Sequence, residues 1–219
     1  MTSQEDTAIE GLVEHVLTQE EQAKLTPSQV IELLQQGNKR FVDGDLTVRN
    51  HRAQIRQAAK SQHPKAIILS CVDSRVPVED VFDRGIGDIF VARVAGNFVN
   101  VDILGSMEFA CKVAGAKLIL VLGHEHCGAI KSAISRVELC NITAMLSKLM
   151  PAVEAAAGPE PRTASNPDFV NAVTEQNVRL SVERIRNESP TLRAMEEAGE
   201  IAIAGALYDM DDGSVQFLA

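Results

Sequence analysis

With 219 residues, 45% of them hydrophobic and 23% charged, the chain has the composition of a soluble globular protein long enough to bury a substantial core. Its formal net charge of −9 argues against nucleic-acid binding, which needs a basic face. The apolar runs are too short to cross a bilayer, and the acidic start MTSQEDTAIEGLVEHV lacks the regions of a signal peptide, so a cytoplasmic location with no membrane partner is expected.

Residues 1–25 read as a polar N-terminal helical arm, with Ile9, Leu12, Val13, Val16 and Leu17 at helical spacing, and residues 26–219 as one α/β domain. Thr26-Pro27-Ser28 is a helix start, and SQVIELLQQGNKRFVDGD follows it. Asn50–His63 reads as a helix ending at Pro64, and Ala66–Ser70 as a strand running straight into Cys71. A second strand is expected around Asp88–Val94, bracketed by Gly85/Gly87 and by Gly96-Asn97. GIGD is a turn rather than a nucleotide loop, because no GxGxxG follows.

Asp102–Ala114 reads as a helix stopped by Gly115 in a left-handed cap. Lys117–Leu122 is the third strand, broken by Gly123, with helices over Gly128–Val137 and Asn141–Ala157 after it. Gly158–Asp168 is a loop, Phe169–Asn187 a helix, and Ile201–Tyr208 with Val215–Leu218 a hairpin around DMDDG. Strands with near-continuous apolar runs that alternate with helices imply an α/β fold. It consists of a mostly parallel β-sheet flanked by helices, with an N-terminal helical arm and a C-terminal β-hairpin.

Sites in such sheets gather at the carboxyl ends of the strands. Two chemically loaded segments begin there: CVDSR (Cys71–Arg75) and HEHC (His124–Cys127). If their strands are parallel neighbours, Cys71, His124 and Cys127 emerge side by side. Cys2His with a fourth position open is a catalytic zinc arrangement, so one Zn²⁺ per subunit is expected. Asp73 and Arg75 are placed to pair, which would keep Asp73 ionised. Asp73 can then either orient zinc-bound hydroxide for attack or bind the zinc itself and close the site. Cys111 and Cys140 sit in helical-looking stretches and read as small buried hydrophobes. His126 reads as a surface or supporting residue rather than a proton shuttle, and His15, His51 and His63 have no partner visible in sequence.

PKAIILSCVDSRVPVEDVFD, GDIFVARVAGN and VLGHEHCGAI together resemble the β-class carbonic anhydrases, from about Thr26 to the C-terminal hairpin. The resemblance implies zinc on Cys71, His124 and Cys127, and an Asp73–Arg75 catalytic dyad. It implies that Gln62, Phe90 and Gly128 contact substrate through an amide, an apolar ring and a main-chain group. The implied reaction is reversible hydration of carbon dioxide to bicarbonate, in a homodimer or homotetramer with its site near the dimer interface and the N-terminal helix over the partner subunit.

Two positions depart from patterns in that family: Phe109 replaces a frequent tyrosine, and Ile68 replaces the tryptophan of the bicarbonate-regulated members. The second departure favours the open site, even though Arg93 matches an arginine of the regulatory pocket, because unregulated members carry that arginine too. Two other functions share these ligands: hydrolysis of carbonyl sulfide or carbon disulfide, and a non-catalytic zinc protein closed by Asp73. A thiol redox role is disfavoured by the absence of a CxxC pair.

Overall fold

The computed structural model describes residues 12–218. Its centre is a five-stranded sheet of β1 (Ala66–Ser70), β2 (Ile89–Arg93), β3 (Leu118–His124), β4 (Ala202–Tyr208) and β5 (Val215–Phe217), in the order β2-β1-β3-β4-β5. The first four strands are parallel, and β5 returns antiparallel to β4 as the C-terminal hairpin. β1 and β3 are buried along their whole length, as strands covered on both faces must be.

On one face Ile67, Leu69, Ile119, Val121 and Ile203 pack with Met107 of α5 (Val101–Glu108), Val178 and Ile185 of α9 (Pro167–Glu188), and Leu192 of α10 (Pro190–Glu197). On the other, Ile68, Leu120 and Leu122 meet Val30 and Leu34 of α2 (Pro27–Val42) and Val78 and Val81 of α4 (Val78–Val81). A third cluster lies over the carboxyl ends of the strands. There Cys71 and Cys127 pack with Phe98, Leu149, Phe169 and residues of α6 (Gly128–Ile134) and α8 (Met150–Ala155).

Several expected boundaries move for identifiable reasons. Leu12–Thr18 is extended rather than helical: Val13 forms a bridge with Arg49, donating its N–H to Val48 and accepting from Asn50. The helix α1 (Gln19–Lys24) begins only at the Thr18–Glu21 capping box. Gln22, buried in α1, donates to the carbonyls of Pro64 and Ala114, so this part of the arm is tied to its own chain. The rest of the arm reading, residues 1–11, lies outside the described residues. The helix expected over 50–63 is confined to α3 (His51–Ala58). The helix over 102–114 starts at Val101 and closes with a π turn at Phe109–Val113, before Gly115 at φ +79°.

Gly123 does not break β3. It pairs with Leu207, and a Cβ there would lie 2.7 Å from Val178 of α9, while one on Gly205 would lie 2.6 Å from the same valine. Those two glycines let α9 settle directly on the sheet, and the strand carries on to His124. The single helix expected over 141–157 is two, α7 (Cys140–Leu146) and α8, divided by a turn at 147–149, with Pro151 in the first turn of α8, where its missing N–H costs no intrahelical bond. Cys140 is exposed, not buried, because left-handed conformations at Arg136 and Cys140 turn the chain outward there. Among the described residues no helix is long and apolar enough to cross a membrane.

Asp83, fully enclosed, ties α2 and the loop before α3 to the end of α4. It accepts from Arg40 Nε, Arg49 Nη1 and the Thr47 hydroxyl at 2.5–2.6 Å. Burial alone would raise its pKa, but these bonds from Arg49, Thr47 and Arg40 outweigh it and hold the carboxyl down to about 2. A depressed folded pKa contributes stability that is complete above the unfolded value and lost as pH falls. Asp83 should therefore contribute fully above about pH 4 and cease to as pH drops through about 2. Asp83→Asn should cost on the order of 3 kcal/mol in urea unfolding at pH 7, with the gap to the parent protein closing towards pH 2.

Candidate metal centre

The parallel register of β1 on β3, Ala66 with Leu118 through Leu69 with Val121, sets the ends of both strands side by side. Cys71 follows the last residue of β1, His124 is the last of β3, and Cys127 is the cap residue from which α6 starts. Their donor atoms all fall within 4.8 Å of one another, and the two sulfurs are 4.0 Å apart. All three side chains are buried.

The polarity of this pocket is organised around the sulfurs. Cys71 Sγ faces the Cys127 sulfur and accepts the Gly96 N–H (3.3 Å), and the neighbouring Cys127, His124 and Gly96 N–H hold its pKa well below the ordinary thiol range against burial. Cys127, beside the Cys71 sulfur and deeper in the protein, is pushed up. Gly96 takes φ +81°, and a Cβ on it would lie 2.7 Å from Leu149. Asn177 of α9, also buried, donates to the Gly96 carbonyl at 2.8 Å and so holds, from its other side, the residue whose N–H faces the sulfur.

His124 Nδ1 is 2.8 Å from the carbonyl of Glu125, a geometry that fixes Nδ1 as the protonated nitrogen. Glu125 is held in turn by Asn171 Nδ2. The other ring nitrogen, Nε2, is buried and has no hydrogen-bond partner among the described residues. A buried imidazole nitrogen without a partner, facing two thiols, is a costly arrangement unless a cation completes it. Two thiolates and one neutral imidazole fit a borderline-soft dication of the zinc type.

Asp73 stands at the rim. Its Oδ1 accepts from Arg75 N (3.0 Å) and Nε (2.9 Å), its Oδ2 from Arg75 Nη2 (2.8 Å), and Oδ2 lies 4.0 Å from His124 Nε2. The Arg75 fork holds the carboxyl well below the usual carboxylate range, so Asp73 is an anion at neutral pH. Gly128 follows Cys127 at the start of α6 with open space where a Cβ would be.

Gln62 and Phe90 are not brought to the metal donors within one chain. Gln62 is exposed at the amino end of β1, lining a shallow depression with Ile86 and Gly87. Cys71 is beyond the other end of that five-residue strand, roughly 17 Å of extended chain away. Phe90 is in the middle of β2, where it lines an open hollow of about 660 Å³ with Val101, Gly105 and Phe109. His126, at φ +54°, is half-buried in the turn between His124 and Cys127.

Residues 66–215 match the carbonic anhydrase family model. The chain belongs to the β-carbonic anhydrase family. It is 33% identical over 193 residues to carbonic anhydrase 2 of Mycobacterium tuberculosis, a match covering 82% of this chain and 87% of that one. It is 31% identical over 189 residues to carbonic anhydrase of Mycolicibacterium smegmatis, covering 84% and 89%. The β-carbonic anhydrase of Coccomyxa, solved with acetazolamide, superposes with a TM-score of 0.68 at 25% identity, over 87% of this chain and 85% of that one. A β-carbonic anhydrase of Sordaria macrospora, one of two described as tetrameric, gives 0.65 at 22% identity, over 75% and 85%, and bears on the fold. The family places this chain among carbonic anhydrases as an enzyme, a lyase, and among metalloproteins.

Sequence reading did not find Gly96, Asn171 or Asn177 as supports of the centre. A signal existed for the last: α9 carries Thr174, Asn177 and Ser181 on its buried face, where polar residues are anomalous. Metal content should separate the cysteines. Cys71→Ser and Cys127→Ser should lose the tightly held divalent ion, while Cys111→Ser and Cys140→Ser keep one per chain, measured by plasma mass spectrometry after gel filtration.

Proposed function

We propose that the chain hydrates carbon dioxide reversibly to bicarbonate and a proton, with zinc held by Cys71, His124 and Cys127 and with Asp73–Arg75 as the catalytic dyad. The observation that carries this reading is Asp73 Oδ2, 4.0 Å from the unpartnered Nε2 of His124 while Arg75 engages both carboxylate oxygens. Zinc bound at these donors supplies the Lewis acidity that makes water a nucleophile near neutral pH.

Asp73, anionic and unable to donate, accepts the hydrogen of the attacking water and turns its lone pair towards the carbon of the substrate. Arg75 keeps that carboxylate ionised and aimed. Gly128, the first residue of α6, has open space where a Cβ would be, and its N–H, without an intrahelical acceptor, would bond a substrate oxygen. Asp73 lies outside the trio of donors that come within 4.8 Å of each other, and with Ile68 where regulated members carry tryptophan, this favours the open site.

The substrate-binding roles of Gln62 and Phe90 require a second copy of the chain. Among the described residues β2 is an edge strand whose outer side is unpaired, beside the apolar hollow of Phe90 and Phe109 and the exposed Val101 and Val113. Two β2 edges joined about a two-fold axis run antiparallel, so the amino end of one sheet meets the carboxyl end of the other. That brings Gln62 and Phe90 of one subunit towards the metal centre of its partner, in a homodimer that can pair further into a tetramer.

Stopped-flow assay of the zinc-loaded protein at pH 8–9 tests the reaction, and no hydration of carbon dioxide there would refute it. Asp73→Asn should keep its zinc and lose roughly tenfold or more in turnover, because the amide presents an N–H where an acceptor is needed. A zinc-edge absorption spectrum with a carboxylate in the shell would instead support the closed, non-catalytic form. Subunit mixing tests the interface. Gln62→Ala and Asp73→Asn chains, each impaired alone, should regain activity when refolded together, since one site of the mixed dimer then carries both native residues. No recovery would place Gln62 outside the partner's site.

A further inference from the structure

Arg93, the last residue of β2, lies opposite Ser70, the last residue of β1. Its side chain reaches forward over the segment that carries the dyad. Nε donates to the carbonyl of Cys71 at 2.7 Å and Nη2 to the carbonyl of Asp73 at 2.6 Å. The same Asp73 carbonyl also accepts the Val76 N–H (3.3 Å), which closes the turn. Among the described residues Arg93 forms no ion pair with a carboxylate, so its fork serves these two main-chain oxygens.

The dyad needs such a brace. Arg75 is more than half exposed, and Val72, between the two held carbonyls, is 57% exposed. With its arginine this open to water, the pair is partly screened and ties the carboxylate to Arg75 rather than to Cys71, His124 and Cys127. The position of the Asp73 Cα depends on the main chain on either side of it. The guanidinium fork suits two oxygens at once, which the point charge of a lysine cannot match.

We infer that Arg93 is a positioning residue for carbon dioxide hydration, clamping the main chain at Cys71 and Asp73 so that the Asp73 carboxylate keeps its place beside the metal donors. The inference rests on the proposed role of Asp73. It also gives β2 two tasks: its outer edge is offered to a second subunit, and its last side chain holds the acceptor of the reaction.

The test compares zinc-loaded Arg93→Gln and Arg93→Lys with the parent protein, each with and without Asp73→Asn. Arg93→Gln should keep one zinc per chain and speed amide exchange at residues 71–76, with β3 unchanged. Its kcat should fall roughly tenfold or more with KM nearly constant, and Arg93→Lys should lie between. In the Asp73→Asn background the same change should cost less than about twofold, the non-additivity expected of residues acting through one another. Unchanged exchange at 71–76, or an equal loss of turnover in both backgrounds, would overturn the inference. So would loss of zinc or faster exchange throughout the protein in both variants, which would make Arg93 a general structural residue. If the parent protein itself did not hydrate carbon dioxide, the proposed function would fail, and amide exchange would still decide whether Arg93 holds this segment.

Discussion

Parallel pairing of β1 with β3 is the constraint on which the centre rests. Two strands bonded in parallel finish on the same side of the sheet, so the residues that follow them must share a small volume. Cys71 and the HEHC turn are those residues, and they deliver three buried donors within 4.8 Å of each other. The cost of that volume is electrostatic. A thiol pair and an imidazole nitrogen without a partner among the described residues are held away from water, an arrangement that N–H groups facing the sulfurs ease and that a dication would satisfy at all three donors together.

Packing around the strand ends keeps these donors in place. Gly123 and Gly205 leave room for Val178, so α9 lies directly on β3 and β4. From that position Asn171 holds Glu125, whose carbonyl fixes the ring of His124, and Asn177 holds Gly96, whose N–H faces Cys71. Each support reaches a candidate donor through one intervening residue. The helix thereby couples the hydrophobic core to the orientation of the site, and Arg93 does the same for the loop that carries Asp73.

Much of this was legible in the chain. Ala66–Ser70 and the C-terminal hairpin could be read from continuous apolar runs and turn residues, and α2 from Thr26-Pro27. Misreadings fell where a local signal has two causes. Gly123 resembles a strand breaker, yet it marks the close approach of a helix that lies some fifty residues further on. The apolar spacing of residues 12–17 resembles an amphipathic helix, but the bridge to Arg49 takes the main-chain groups a helix would use. Cys140 was expected inside because its neighbours are helix-compatible, and a left-handed turn put it outside.

By itself the sequence determined the identities of the donors and the chemistry open to them: two soft thiols, an imidazole, and a carboxylate with an arginine two residues on. It also determined that both motifs lie at strand ends. Tertiary structure decided which groups meet. It set the fork of Arg75 on both oxygens of Asp73, left Nε2 of His124 bare, and sent Asn177 and Arg93 to main-chain atoms that no motif names. It also separated Gln62 from Cys71 by the length of a strand. The reason is physical. A motif fixes side chains relative to their own backbone, whereas distances between distant segments are set by strand register and by the helices that pack across it.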